Sequence, residues 1–154
     1  MAVKTARFRG DLRRYAKVGL DSSMLIYHLE DVSPYSELTE AAFAAVAEGA
    51  PAAVLCTISV TGLLVRPFAQ DRQDRVAALE RFVLGLPHTT LVAPSYAAAK
   101  EAARLRARYG MRTPDALHLA TALTERAGAF VTNDRELRRL KAEGIAVVVL
   151  DDYV

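Results

Sequence analysis

The sequence predicts an α/β fold: a central parallel sheet of about five strands with helices on both faces. Two observations carry this. Short apolar runs alternate with longer segments of helical periodicity along nearly the whole chain. Strands and helices in that alternation pair in parallel through right-handed crossovers, which leaves helices on both sides of the sheet. The length of 154 residues, with 52% hydrophobic and 25% charged residues, suits one domain with its own core.

The elements follow in order. Residues 1–16 form a basic arm, and the domain is expected over residues 17–154. The first twenty residues hold Lys4, Arg7, Arg9, Arg13, Arg14 and Lys17 against Asp11 alone, in a chain of net charge +2. Such an arm either contacts phosphate or is a solvated, poorly ordered terminus. Lys17–Asp21 is an extended run ending in an acid. Ser22–Glu30 reads as a helix on the stripe Met24, Leu25, Tyr27 to Leu29. Ser33 and Pro34 read as cap and first position of a second helix, closed at Gly49-Ala50-Pro51.

Ala53–Ile58 is a strand run, followed by a short helix from Ser59 that Pro67 is expected to end. Asp71–Leu86 is amphipathic, with Val76, Leu79, Phe82 and Val83 on one face. Thr89–Ala93 is the third strand and Pro94–Tyr109 a helix ended by Gly110. Thr113–Ala127 is a helix, Ala129–Thr132 a strand, Asp134–Glu143 a helix and Ile145–Leu150 the last strand.

Several function classes fall away. No apolar run reaches the ~20 residues of a membrane span, and the N-terminus lacks the pattern of a secretory signal. The single cysteine, Cys56, lies in an apolar run and reads as a buried thiol. It allows neither an internal disulfide nor a cysteine zinc site, so a reducing, cytoplasmic setting is expected. There is no GK[ST] phosphate loop and no G-x-G-x-x-G after the first strand. Ser23 stands where a haloacid-dehalogenase-type phosphatase needs a second Asp.

In open α/β sheets ligands bind beyond the carboxyl ends of the strands. Asp21 closes the first strand, Asp134 follows the fourth by one residue, and Asp115 lies in the first turn of the helix leading to that strand. Each alone can be a helix cap or a dipole partner. Together at one sheet edge they repel one another unless a cation intervenes, and hard oxygen donors suit Mg²⁺ or Mn²⁺.

The segments Val18-Gly19-Leu20-Asp21-Ser22-Ser23, Thr113-Pro114-Asp115-Ala116-Leu117-His118-Leu119-Ala120-Thr121-Ala122 and Phe130-Val131-Thr132-Asn133-Asp134 resemble the three acidic motifs of PIN domains. They are most similar to those of VapC-type toxins of bacterial toxin–antitoxin pairs. The resemblance covers the chain from about Lys17 to the end and leaves the basic arm outside. It implies a PIN-like three-layer sandwich and a metal-dependent endoribonuclease. Asp21, Asp115 and Asp134 would hold Mg²⁺ or Mn²⁺, Thr132 would orient a carboxylate or bound water, and Ser22 would donate beside Asp21. It also implies RNA as substrate, an antitoxin as partner and a homodimer.

The chain departs from the pattern at Gly62, within Thr57-Ile58-Ser59-Val60-Thr61-Gly62-Leu63-Leu64, where such domains place a Glu. Neither Glu48 nor Asp71 is placed to replace it. A degenerate natural member, a weakened enzyme using water or Thr61 instead, and an inactivating change acquired on cloning all remain open. The rival function is therefore a catalytically degenerate PIN domain that binds RNA or a protein. Arg112 is the cation nearest the acidic edge and a candidate RNA contact. His118, one turn after Asp115, reads as a packed or supporting histidine. Arg104 and Arg106, the group Arg138, Arg139 and Lys141, and the C-terminal Asp151 and Asp152 read as solvated charge.

Overall fold

The computed structural model describes residues 2–154. Helix α1 (Ala2–Leu12) precedes β1 (Lys17–Leu20), α2 (Ser22–Leu29), α3 (Tyr35–Ala47) and β2 (Ala52–Cys56). Then come α4 (Ile58–Ala69), α5 (Gln73–Leu84), β3 (Thr89–Val92), α6 (Tyr96–Tyr109), α7 (Thr113–Thr124) and β4 (Ala129–Thr132). A 3₁₀ segment (Arg135–Glu143), β5 (Ala146–Val149) and a short 3₁₀ turn (Leu150–Tyr153) complete the chain.

The five strands form one sheet in the order β3-β2-β1-β4-β5, and every neighbouring pair is parallel. The expected α/β sandwich is therefore the observed fold. From β1 the chain winds outward through β2 to β3, then crosses back through α6 and α7 to reach β4 on the other side of β1. That reversal opens a crevice at the carboxyl ends of β1 and β4, the place where this topology binds ligands.

Alternation along the strands divides the core in two. Val18, Leu20, Ala53, Leu55, Ala129 and Val131 face a cluster shared with α1, α2 and α3. Phe130 faces the opposite cluster, built from α6 and α7 with Leu105, Leu119 and Leu140. Between these layers Gly19 fixes a close approach. A Cβ there would stand 2.6 Å from the Ala122 Cβ and 3.0 Å from the Phe130 ring. Only glycine lets α7 lie this near β1, and α7 carries Asp115.

Three expectations change. Over its described residues, 2–16, the expected arm is not free. Phe8 and Leu12 on α1 are fully buried, the Phe8 ring packs edge-on against Tyr153 at 5.0 Å, and the Tyr153 hydroxyl donates to Asp11 at 2.6 Å. Arg9 and Arg13 both pair with Glu48 and Arg7 and Arg14 with Asp11, so four of the arm's cations are engaged internally. Pro67 does not end α4 but lies inside its last turn. Its missing N–H costs one helical bond, while its carbonyl accepts from Arg72 N at 2.9 Å. Pro34 occupies the cap position, so α3 starts at Tyr35.

Candidate functional site

The site is built on the ends of β1 and β4. Asp21 extends the ladder by one bond beyond Leu20, its N–H donating to the Val131 carbonyl at 3.0 Å. It stands at the cap position of α2, yet its side chain caps no N–H of that helix. The carboxylate is held by hydroxyls instead. Thr132 Oγ1 donates to Asp21 Oδ2 at 2.6 Å, and Ser22 Oγ to Oδ1 at 3.4 Å.

Thr132 is fully buried, and its oxygen also accepts the Asp134 N–H at 3.1 Å. One hydroxyl thus ties the acid after β1 to the backbone of the acid after β4. Asp134 does cap its own segment, Oδ1 accepting from Glu136 N at 3.0 Å. Capping accounts for one oxygen of Asp134 and for none of Asp21.

Asp115 arrives from the other side. Gly110 in a left-handed conformation ends α6, and Arg106 Nε braces the following turn by donating to the Met111 carbonyl at 3.0 Å. Arg112 precedes α7 with an extended backbone, and Thr113-Pro114-Asp115 forms the first turn. Arg112 Nε donates to Asp115 Oδ2 at 3.1 Å; the arginine is 84% exposed and the aspartate 32%. An ion pair this exposed contributes at most ~1 kcal/mol, so the guanidinium is free to exchange partners.

Asp21, Asp115 and Asp134 line one open cavity of about 310 Å³ together with Ser22, Ser23 and Arg112. Tyr27, Asn133 and the apolar Ile26, Phe130 and Leu137 complete its wall. The sequence placed those three acids and Arg112 at one edge, and the fold brings them to one cleft. Among the described residues, no three His, Cys, Asp or Glu side chains stand close enough to share an ion. The three-carboxylate cage implied by the resemblance is thus not formed by the side chains as they stand. Mg²⁺ is ordinarily held by one or two carboxylates, with water and substrate phosphate in its other positions. The all-oxygen donor set fits that kind of partly hydrated site.

Gly62 does not line the acidic cavity. It lines a neighbouring one of about 400 Å³ with Leu63, Arg66 and Glu30, and the two cavities share Ile26. His118 is 5% exposed, and its Nδ1 is buried without a hydrogen-bond partner. Burial pushes its pKa below the usual range, and the charges of Asp21 and Asp115 pull the other way. The ring is a packed one beside the acids.

From sequence Tyr27 is only part of a helical stripe, whereas the structure puts its ring on the cavity wall. From sequence Asp151 is a solvated acid. Asp151 instead accepts from Tyr35 OH at 2.7 Å and from Arg135 Nε at 2.8 Å, and its N–H donates to Asn133 Oδ1 at 2.9 Å. The Tyr35 and Arg135 bonds hold its carboxyl below the usual carboxylate range against some desolvation. Arg104 is likewise not merely solvated, since it bonds Glu101 and Glu143 at 2.5 Å each. Arg138 pairs with Asp152.

The profile of the PIN domain family matches residues 18–143. Among solved structures, a toxin–antitoxin complex from Klebsiella pneumoniae is similar at 19% identity and TM-score 0.61, covering 87% of this chain and 97% of the other. VapBC2 from Rickettsia felis, bound to a DNA fragment from its promoter, is similar at 16% identity and TM-score 0.65, with 85% and 96% covered. DNA-bound VapBC from Salmonella typhimurium is similar at 17% identity and TM-score 0.65, with 87% and 98% covered. At these identities the likeness is one of fold. No curated protein matches the chain.

Proposed function

Since the chain belongs to the PIN domain family, we propose that it is a metal-dependent endoribonuclease of the VapC type, the toxin of a toxin–antitoxin pair. The observation that carries this is the convergence of Asp21, Asp115 and Asp134 on one cleft at the β1–β4 crevice. The proposed ion is Mg²⁺ or Mn²⁺, with Asp21, Asp115 and Asp134 as its candidate ligands. When bound, such an ion lowers the pKa of water and neutralises charge on a phosphodiester.

The chain's own residues supply the rest. Thr132 and Ser22 fix the Asp21 carboxylate through the hydroxyl bonds described, so that its orientation is set before substrate arrives. Arg112, weakly held on Asp115, can turn to a phosphate oxygen of the strand and so help position it. Thr132 donates its only hydroxyl proton to Asp21 Oδ2 while accepting the Asp134 backbone N–H, so one buried oxygen spaces the two acids. No covalent nucleophile is needed.

The named neighbours are toxin–antitoxin assemblies, which supports an antitoxin partner; that it covers this cleft, and that the chain forms a homodimer, are proposed from the resemblance of the acidic motifs. The test is cleavage of RNA with Mg²⁺ or Mn²⁺ by this protein and by Asp115→Asn. Metal-dependent cleavage abolished in the variant is expected; equal cleavage by both would sink the assignment.

Gly62 favours a second reading, a PIN domain that binds RNA or protein without useful catalysis. It removes an acid from the pattern, and its Cβ direction meets nothing within 4 Å. Mn²⁺ titration by calorimetry separates the two: saturable binding weakened by Asp115→Asn supports the enzyme, and none supports the binding module.

A further inference from the structure

Next to the acidic cleft stands a pair of tyrosines that the chemistry above does not use. The Tyr27 and Tyr35 rings are stacked, with centroids 4.7 Å apart and planes 19° from parallel. Tyr27 belongs to the wall of the cavity that the three aspartates line. Both rings rest on the core cluster beneath.

The pair is tethered at its polar ends. Tyr35 OH donates to Asp151 at 2.7 Å, and Asn133 Nδ2 approaches Tyr27 OH at 3.5 Å. Asp151 and Asn133 are joined through the Asp151 N–H, and Asn133 directly precedes Asp134. The slab is therefore braced by the same loop that carries one of the candidate ligands. Packing alone explains why two half-buried tyrosines lie on a core. It does not explain why the Tyr35 hydroxyl is tied through Asp151 and Asn133 to the loop that carries Asp134.

Resting on the nuclease reading, we propose that the Tyr27–Tyr35 stack seats an unpaired nucleobase of the bound RNA beside the cleft. A stacked pair offers a rigid π surface with little ordering left to lose on binding. Base–aromatic stacking tolerates any base, because every base has a π face, and it is denied to a base inside a duplex. Arg112 and Arg135, 84% and 66% exposed, are the cations available to the flanking phosphates.

The chain contains no tryptophan, so Tyr27→Trp introduces a unique fluorescent ring at the proposed seat. In an Asp115→Asn background, which keeps the RNA intact, adding a single-stranded oligoribonucleotide in Mg²⁺ is expected to quench that indole. The same sequence annealed into a duplex is expected to leave it unchanged. Affinity measured by anisotropy is expected to fall about 5- to 150-fold for Tyr27→Leu and to be retained by Tyr27→Phe. RNA binding without indole quenching, or quenching equal for duplex and single strand, overturns the seat and leaves the nuclease reading standing. Absence of binding to any RNA overturns both. Should Tyr27→Leu fail to fold, the quenching arms decide the matter alone.

Discussion

Replacing Gly62 by alanine adds one methyl group at the fifth residue of the twelve-residue helix α4, and its effect follows from the surroundings. The position is exposed. A Cβ built there has no neighbour within 4 Å, and the backbone is not among the positive-φ residues. Neither a steric cost nor a conformational one offsets the gain in helix propensity, which is ~1 kcal/mol for Gly to Ala in a helix interior. For a domain of this size that raises the melting temperature by roughly 2–4 °C.

Gly62→Glu keeps most of that gain, because Glu is also a good helix former. It adds a favourable i,i+4 pairing with Arg66 worth ~0.2–0.5 kcal/mol. Thermal and urea unfolding of the three proteins gives the stability order. Mn²⁺ titration of the same three samples isolates the carboxylate, since alanine and glutamate share the helix effect. Tighter Mn²⁺ binding by Gly62→Glu than by Gly62→Ala is expected if position 62 contributes an acid to the ion site. An unchanged or lower melting temperature for Gly62→Ala would refute the description of this residue as an unstrained, solvent-facing helix interior.

Two further substitutions test the frame of the site. Thr132→Val removes a buried hydroxyl that serves both Asp21 and Asp134, leaving the Asp134 N–H without that partner. Destabilisation of about 1.5–3 kcal/mol by urea unfolding is expected, together with weaker Mn²⁺ binding, and wild-type values for both would show that the clamp is dispensable. Phe8→Ala empties a fully buried position between α1 and Tyr153. A loss of about 3–5 kcal/mol is expected, against almost none if residues 1–16 were a solvated arm.

The sheet and the acidic edge were legible because they are written in local signals. The alternation of apolar runs and helical stripes reports strand and helix directly, and parallel topology then fixes which end of each strand can hold chemistry. Asp21, Asp115 and Asp134 each lie within two residues of an element boundary, so placing the boundaries placed the acids. What stayed illegible depends on partners distant in the chain. Nothing near Phe8 announces that Tyr153 will cover it, and the charges around it suggest solvent. Asp151 looks solvated until Tyr35, 116 residues away in sequence, is folded beside it. Tyr27 fits a helical stripe equally well whether its ring ends in the core or on a cleft wall.

Gly62 bears on the two functional readings through the way the remaining acids are supported. Asp21 and Asp134 sit at the ends of adjacent parallel strands and share the buried Thr132 hydroxyl. Their relative position is therefore set by the strand pairing and the shared hydroxyl, and does not depend on α4. Position 62 faces a separate cavity that meets the acidic one only at Ile26. Loss of an acid there weakens one flank and leaves the strand-borne half intact. Metal affinity should consequently rise less on Gly62→Glu than it falls on losing Asp21 or the Thr132 hydroxyl. The Thr132 hydroxyl serves stability under either reading, so it is metal affinity, and not the threonine itself, that separates the enzyme from the binding module.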